Sequence, residues 1–396
     1  MDNEKLWNSN YNKVMVTNFC LYFAFYITMP LLPLYLSEHF GATKDTIGLV
    51  LAGYTITALL IRPFSGYMVD SFNRKKVLLL CLSANCLFMG SYLIAGSLFL
   101  FTLFRTLHGG PFGACTVANS TVAIDVLPSS RRNEGIGFYG LSNNIATAIA
   151  PSIGIFIYQQ TGCFEWLFWI AFAVSVIGLI ADAKVDVPIK EIVKNKSKVS
   201  LDRFLLTRGW MIGINVVLIG LCYGVLSNYL AIYGKEMLGI TNGTGTYFLI
   251  LSSGLIASRL LGNRTLKKGL ITHNCGLGLL LSTLGYGLFV FCQNSVGYYI
   301  SALLIGLGNG HLWPAFQNMM IGVAHHNERG TANSTLLTSW DLGIGIGVLV
   351  GGFVAEHIDY HHAFLAMFAS HSIAAMLFYA KTKGFFRERK LSEEQC

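Results

Sequence analysis

Apolar residues run along this chain in long stretches separated by short polar gaps. A bilayer core about 30 Å thick takes roughly 20 apolar residues as helix. Twelve stretches have that size: 14–36, 47–69, 77–95, 98–121, 135–158, 165–182, 210–233, 245–262, 273–292, 296–323, 332–355 and 363–380. The pattern therefore predicts an all-α membrane protein with twelve transmembrane helices. Two divisions rest on brief punctuation, Gly96-Ser97 between the third and fourth spans and Gln293-Asn294-Ser295 between the ninth and tenth.

The basic residues test this assignment. With the N-terminus placed inside, 23 of the 28 Lys and Arg fall in inner gaps and tails, and two, Lys44 and Lys235, fall outside. The remaining three, Arg62, Arg105 and Arg259, lie within spans. Such a bias is the positive-inside pattern, and it predicts a multi-pass protein of the cell membrane with both termini cytoplasmic. Composition agrees. The 396 residues are 53% apolar, roughly 64% with glycine, and 12% charged, about half the charge of a soluble chain. The net charge of +8 does not point to nucleic acid, because the cations sit in gaps between apolar runs. The nine cysteines show no metal or disulfide spacing. Residues 1–13 are polar and no small-residue cleavage site follows, so the first apolar stretch reads as an uncleaved span.

The one long charged gap, 184–208, separates six spans from six. This predicts an N-terminal bundle (1–183), a cytoplasmic linker (184–208) and a C-terminal bundle with its tail (209–396). A shift of 197 residues brings features of the halves into coincidence: Arg132 with Arg329, Gly109 with Gly306, Gly113 with Gly310, Gly154 with Gly351, and Asn144 with Asp341. Two six-helix halves of equal orientation are a parallel transporter repeat, with the binding site at the midplane between them.

The gap after the second span carries Gly66, Asp70, Arg74 and Lys75 in the order Gly-x-x-x-Asp-x-x-x-Arg-Lys. This resembles the loop motif of the major facilitator superfamily, with Asn73 at the place of the family's second glycine. The fourth span carries Arg105-Thr106-Leu107-His108-Gly109, similar to the family's arginine-then-glycine pattern. The fifth carries Ala150-Pro151, where the antiporter branch usually has Gly-Pro. The resemblance covers nearly the whole chain and implies two pseudo-symmetric six-helix bundles (6+6). It also implies a gate at the inner face formed by Gly66, Asp70, Arg74, Lys75, Arg132 and Arg329. The branch most similar is that of bacterial drug-efflux-like proton antiporters.

Polar groups inside spans are costly and mark function. Asp341 is the carboxylate placed near the middle of a span; Asp125, Glu165, Asp182 and Glu356 sit at or beyond span ends. Asp341 is therefore the expected proton carrier and Arg105 its modulator. Tyr22, Tyr26, His108, Asn143, Asn144, His311, Trp313, Gln317 and Trp340 are the expected substrate contacts. The glycines around Asn309 and Asp341 lie inside apolar helices, without the preceding strand a nucleotide loop needs; small residues there let helices pack closely. His357, His361 and His362 have helical metal spacing but fall in an outer connection, and no metal or cofactor is expected. No paired carboxylates, Ser-His-Asp set or P-loop converge, which argues against an enzyme and for an ion gradient as energy source. The expected function is proton-coupled export of a small organic molecule by a monomer in contact with lipid. Uptake of a sugar, organic acid or nucleoside, and more remotely a membrane-embedded enzyme or a non-transporting sensor, remains open at this point.

Overall fold

The structure is a computed structural model and describes residues 5–42, 44–187, 204–240, 243–267 and 269–391. The helices are α1 (Ser9–Thr28), α2 (Leu32–Phe40), α3 (Lys44–Ser71), α4 (Arg74–Ser91), α5 (Leu98–Asp125), α6 (Arg132–Thr161) and α7 (Glu165–Ala183). They continue as α8 (Trp210–Leu238), α9 (Thr244–Lys267), α10 (Ile271–Phe291), α11 (Ser295–Gly322), α12 (Arg329–His357), α13 (Tyr360–Leu377) and α14 (Lys383–Arg389). No strand occurs among the described residues. Eight of these segments are long and apolar enough to cross a membrane: Leu49–Ser71, Arg74–Ile94, Ser129–Tyr158, Glu165–Ala183, Thr207–Leu230, Ile271–Phe291, Arg329–Ala355 and Tyr360–Arg389. The long helices outside that set include α5, which carries Arg105, His108 and Asn119, and α11, which carries Asn309, His311, Gln317 and Asn318. These polar residues dilute their hydropathy. Most of the predicted linker, residues 188–203, lies outside the described residues.

Helix ends fall where local chemistry puts them. Asn73, Ser97 and Asn294 each accept a backbone N–H of the following first turn, at 3.1, 3.2 and 2.8 Å. These side-chain caps satisfy otherwise orphaned donors, so the two thinly punctuated gaps are genuine breaks. Two expectations are corrected. The first stretch is not one helix: Pro30 starts a 3₁₀ turn at Met29–Leu31, and α2 follows. Proline lacks the N–H that a continuing helix needs. The last helix also outruns its predicted end, passing through a π-helical segment at Phe378–Thr382 into α14.

The chain forms two compact units. The first comprises Met1–Gly135, Leu141–Leu205 and Asn327–Ser334, with a core around Phe23, Ile27, Tyr92, Phe101 and Phe168. The second comprises Ile136–Gly140, Leu206–His326 and Thr335–Cys396, with a core around Tyr233, Tyr247, Phe289, Tyr298 and Phe364. Many large apolar side chains point outward instead, among them Leu87 (73% exposed), Phe99 (77%) and Leu349 (75%). Apolar surface on this scale suits hydrocarbon rather than water.

The repeat appears in the packing as well as in the sequence. A Cβ on Gly109 would run into the carbonyl of Tyr54, and one on Gly113 into that of Ala58, where α5 meets α3. In the second unit, Gly306 and Gly310 of α11 stand in the same way against the carbonyls of Leu251 and Leu255 of α9. Every partner in the second set is 197 residues beyond its counterpart in the first. Close backbone approach through small residues is how membrane helices gain contact where no hydrophobic force drives them together.

Candidate functional site

In the first unit a charge cluster joins the ends of α3, α4, α5 and the beginning of α12. Arg74 donates through Nη2 to Asp70 at 3.0 Å and through Nη1 to Asp125. Arg329, 2% exposed, donates to the other oxygen of Asp125 at 3.2 Å. Asp70 in turn accepts from the N–H groups of Gly330 (3.0 Å) and Thr331 (2.8 Å) and from the Thr331 hydroxyl (2.9 Å). The Ser334 hydroxyl bonds to the carbonyl of Arg62. A Cβ on Gly66 would stand 2.7 Å from the Cβ of Ser334 and 2.9 Å from the Gly330 carbonyl, so only glycine admits this approach. Of the predicted gate, Gly66, Asp70, Arg74 and Arg329 thus meet in one network. Arg132 bonds to Ser129 at 3.2 Å, and Lys75 is half-buried at the start of α4. Sequence reasoning missed Asp125, which it set aside as a helix-end residue. No periodicity links positions 74, 125 and 329; only folding does.

Deeper in the same unit, Arg105 is 2% exposed and held by rings. Its Cζ lies 4.1 Å from the centroid of Tyr54 and 5.5 Å from that of Phe25, and Nη1 donates to the Tyr92 hydroxyl at 3.3 Å. Aromatic faces attract a desolvated guanidinium. His108, an expected substrate contact, lies in the core of the first unit. It is fully buried, with Nδ1 against the Tyr92 hydroxyl at 2.6 Å and Nε2 against Asn85 at 2.9 Å, so both ring nitrogens are already engaged. Tyr22 and Tyr26 stack on one another at 6.4 Å and are half-buried on α1. On α6, Asn143 accepts from Thr147 at 3.1 Å, while Nδ2 of Asn144 is buried without a bonding partner.

The second unit contains a small cleft lined by Val216 and Ile219 of α8, Asn309, Leu312, Trp313 and Phe316 of α11, and Trp340 of α12. Trp313 and Trp340 meet edge to face at 5.4 Å, and the Tyr223 ring also lies 5.4 Å from that of Trp340. Large rings around one polar amide are the usual lining of a site for a small organic ligand. The Oδ1 of Asn309 is buried and unbonded, and Asn309 was absent from the predicted contacts. Asp341 is half-buried, one residue beyond Trp340. His311 is 5% exposed and its Nδ1 is tied to Asn274 at 2.8 Å, while Asn318 donates to the Pro314 carbonyl one turn back at 2.8 Å. Gln317 is likewise buried, on the same helix. The outer histidines are used locally: His362 by Asp359, His361 by Gln293 and His357 by the Phe353 carbonyl.

Comparison with known proteins agrees with this architecture. The sequence model of the Major Facilitator Superfamily matches residues 14–326 and 275–395. The chain is 23% identical over 337 residues to the staphylopine export protein of Staphylococcus aureus, covering 82% of this chain and 84% of that protein. It is 23% identical over 378 residues to the uncharacterized MFS-type transporter YhhS of Escherichia coli, covering 92% of this chain and 90% of that one. Among solved structures it resembles the human organic anion transporter MFSD10 (TM-score 0.77, 15% identity, 93% and 99% of the two chains). It also resembles the transporter FucP in the outward conformation (TM-score 0.80, 15% identity, 97% and 100%).

Proposed function

The chain belongs to the Major Facilitator Superfamily, a family of multi-pass membrane transporters and not of enzymes, and from that premise we propose that it exports a small organic molecule by alternating access, driven by protons. In this reading all twelve predicted spans cross the cell membrane as two pseudo-symmetric six-helix bundles, 1–183 and 209–396, with both termini and the 184–208 linker in the cytoplasm, and a monomer is the working unit. The carrying observation is the aromatic cleft of the second unit, a small opening lined by Trp313, Trp340 and Asn309, whose amide oxygen is unbonded. Likeness to the staphylopine export protein over most of both chains supports export.

Asp341 beside Trp340 is proposed as the proton carrier. A carboxyl in a low-dielectric setting holds its proton more tightly, and hydration or an approaching cation releases it; Arg105 would tune that balance. Tyr22, Tyr26, Asn143, Asn144, His311 and Gln317 remain proposed contacts of the solute path. The charge cluster around Asp70, Arg74 and Arg329, with Lys75 and Arg132 at its margin, is proposed to fix the first turn of α12 in one state and free it in the other. A second reading, proton-coupled uptake of a polar solute, is favoured by the unbonded amide atoms of Asn144 and Asn309.

Flux in proteoliposomes decides between them. Export predicts that inside-out vesicles concentrate the solute when an inward-acid gradient is imposed and lose it when that gradient is collapsed. Concentration by right-side-out vesicles under an external acid gradient would establish uptake instead.

A further inference from the structure

Arg259 of α9 is a buried cation that nothing in the preceding site uses. It is 5% exposed, its Nε and Nη1 are buried without a hydrogen-bond partner, and it forms no ion pair among the described residues. An unpaired guanidinium in a low-dielectric interior is strongly disfavoured unless something compensates it. The other two arginines within spans have contacts of their own. Arg105 lies on aromatic faces and donates to Tyr92, and Arg62 has neighbouring partners. Arg62 and Arg259 stand 197 residues apart, so the repeat has produced the same residue twice.

The guanidinium is packed against the backbone of α6. A Cβ on Gly140 would lie 3.0 Å from Nη2 and 3.3 Å from Cζ, so the glycine of α6 is what leaves room for the fork. Within the same unit His311 is the electrostatic neighbour, its Nδ1 already committed to Asn274. His311 belongs to α11, the helix that also carries Asn309 and Trp313 of the aromatic cleft. A planar, permanently charged fork with unfilled N–H donors matches a carboxylate.

We propose that Arg259 binds the carboxylate of the transported molecule, which makes the solute an organic acid. This rests on the transport reading and narrows its substrate to one chemical class. The test uses the purified full-length chain in detergent, with benzoate, succinate and citrate as probes and sodium chloride of equal ionic strength as reference. Thermal unfolding is followed by tryptophan fluorescence. At least one probe should raise the Tm of the unaltered protein saturably. Arg259→Met should weaken that probe's apparent affinity about tenfold or more while leaving the probe-free Tm unchanged or higher, because it removes an uncompensated charge. Gly140→Ala, which crowds the fork without removing it, should also weaken the probe.

A flat response of the unaltered protein to all three probes overturns the proposal. So does a probe shift that survives Arg259→Met, or a probe-free Tm that falls sharply in that variant, which would mark a structural cation. If Arg259→Met does not fold, an undiminished probe shift in Gly140→Ala overturns it. No flux enters this measurement, so its failure leaves the transport reading standing, whereas bound probe without vesicle transport defeats that reading instead.

Discussion

Asp70 and Thr331, 261 residues apart, are joined by two hydrogen bonds to one oxygen: the backbone N–H and the hydroxyl of Thr331 both donate to Oδ2, at 2.8 and 2.9 Å. With Gly330 donating to Oδ1, the carboxylate of α3 satisfies N–H groups that the first turn of α12 leaves open, at the positive end of that helix dipole. Arg74 and Arg329, linked through Asp125, complete the fastening. A distant carboxylate therefore does for α12 what a local cap does for other helices.

Asp70→Asn should loosen this fastening. A hydrogen bond to a charged group contributes about 1.5–3 kcal/mol, enough to shift a two-state population by about tenfold or more. Turnover should fall, and a cysteine introduced by Ala332→Cys, now at a fully buried position, should react faster with a water-soluble maleimide in the Asp70→Asn background. Equal labelling rates with unchanged turnover would refute the role.

Gly66→Ala should reproduce much of that effect by sterics alone. The added methyl would meet Ser334 and the backbone of Gly330 and Thr331, and overpacking of this kind costs about 1–3 kcal/mol. Raised labelling of the same cysteine, with protein abundance near that of the unaltered chain, is the expected result.

Trp340→Ala and Trp313→Ala should raise the apparent Km for the solute more than they lower abundance, because the two rings wall one cleft. Asn309→Ala and Asn144→Ala should act in the same direction for a polar solute, as each removes an unbonded buried amide. Unchanged Km in all four variants would place the site elsewhere.

Asp341→Asn should fold and bind solute yet lose dependence on the pH gradient, since an amide cannot carry the proton. Proton-driven transport persisting at the original rate in this variant would eliminate Asp341 as the carrier.

Asp359, outside the spans, caps α13. Its Oδ1 accepts the His362 N–H at 2.7 Å and faces the His362 ring at 2.8 Å, and these bonds hold its carboxyl below the ordinary aspartate range. Because the folded value is depressed, the stabilisation is present above the unfolded value of 3.8 and is lost as pH falls through the lower folded value. Exchange of the Ala363 amide, whose N–H donates to the Asp359 carbonyl, should therefore accelerate in strong acid, and Asp359→Ala should show that faster exchange at neutral pH.

The sequence by itself determined the membrane class, most of the helix positions and the internal repeat. These follow from properties that are local or periodic: the length of apolar runs, caps such as Ser97 and Asn294 that act within one turn, and residue identities recurring at a fixed offset. The matched contacts of Gly109 with Tyr54 and Gly306 with Leu251 were implicit in that offset. The loop motif drew attention to Asp70 and Arg74, and the repeat to Arg329, before any of their contacts were visible. What only the tertiary structure decided was partnership. Whether His108 faced a cavity or the core depended on where Tyr92 and Asn85 came to lie. Asp125 looked idle until folding set it between Arg74 and Arg329. Arg105 and Arg259 are alike in sequence as lone cations in apolar helices, yet one lies on aromatic rings and the other has no hydrogen-bond or ion-pair partner among the described residues. Hydropathy fixes how deep a residue sits along its helix, because that depends on the segment alone. Which direction it faces and what it meets depend on helix rotation and packing, which join residues far apart in the chain and so leave no local trace.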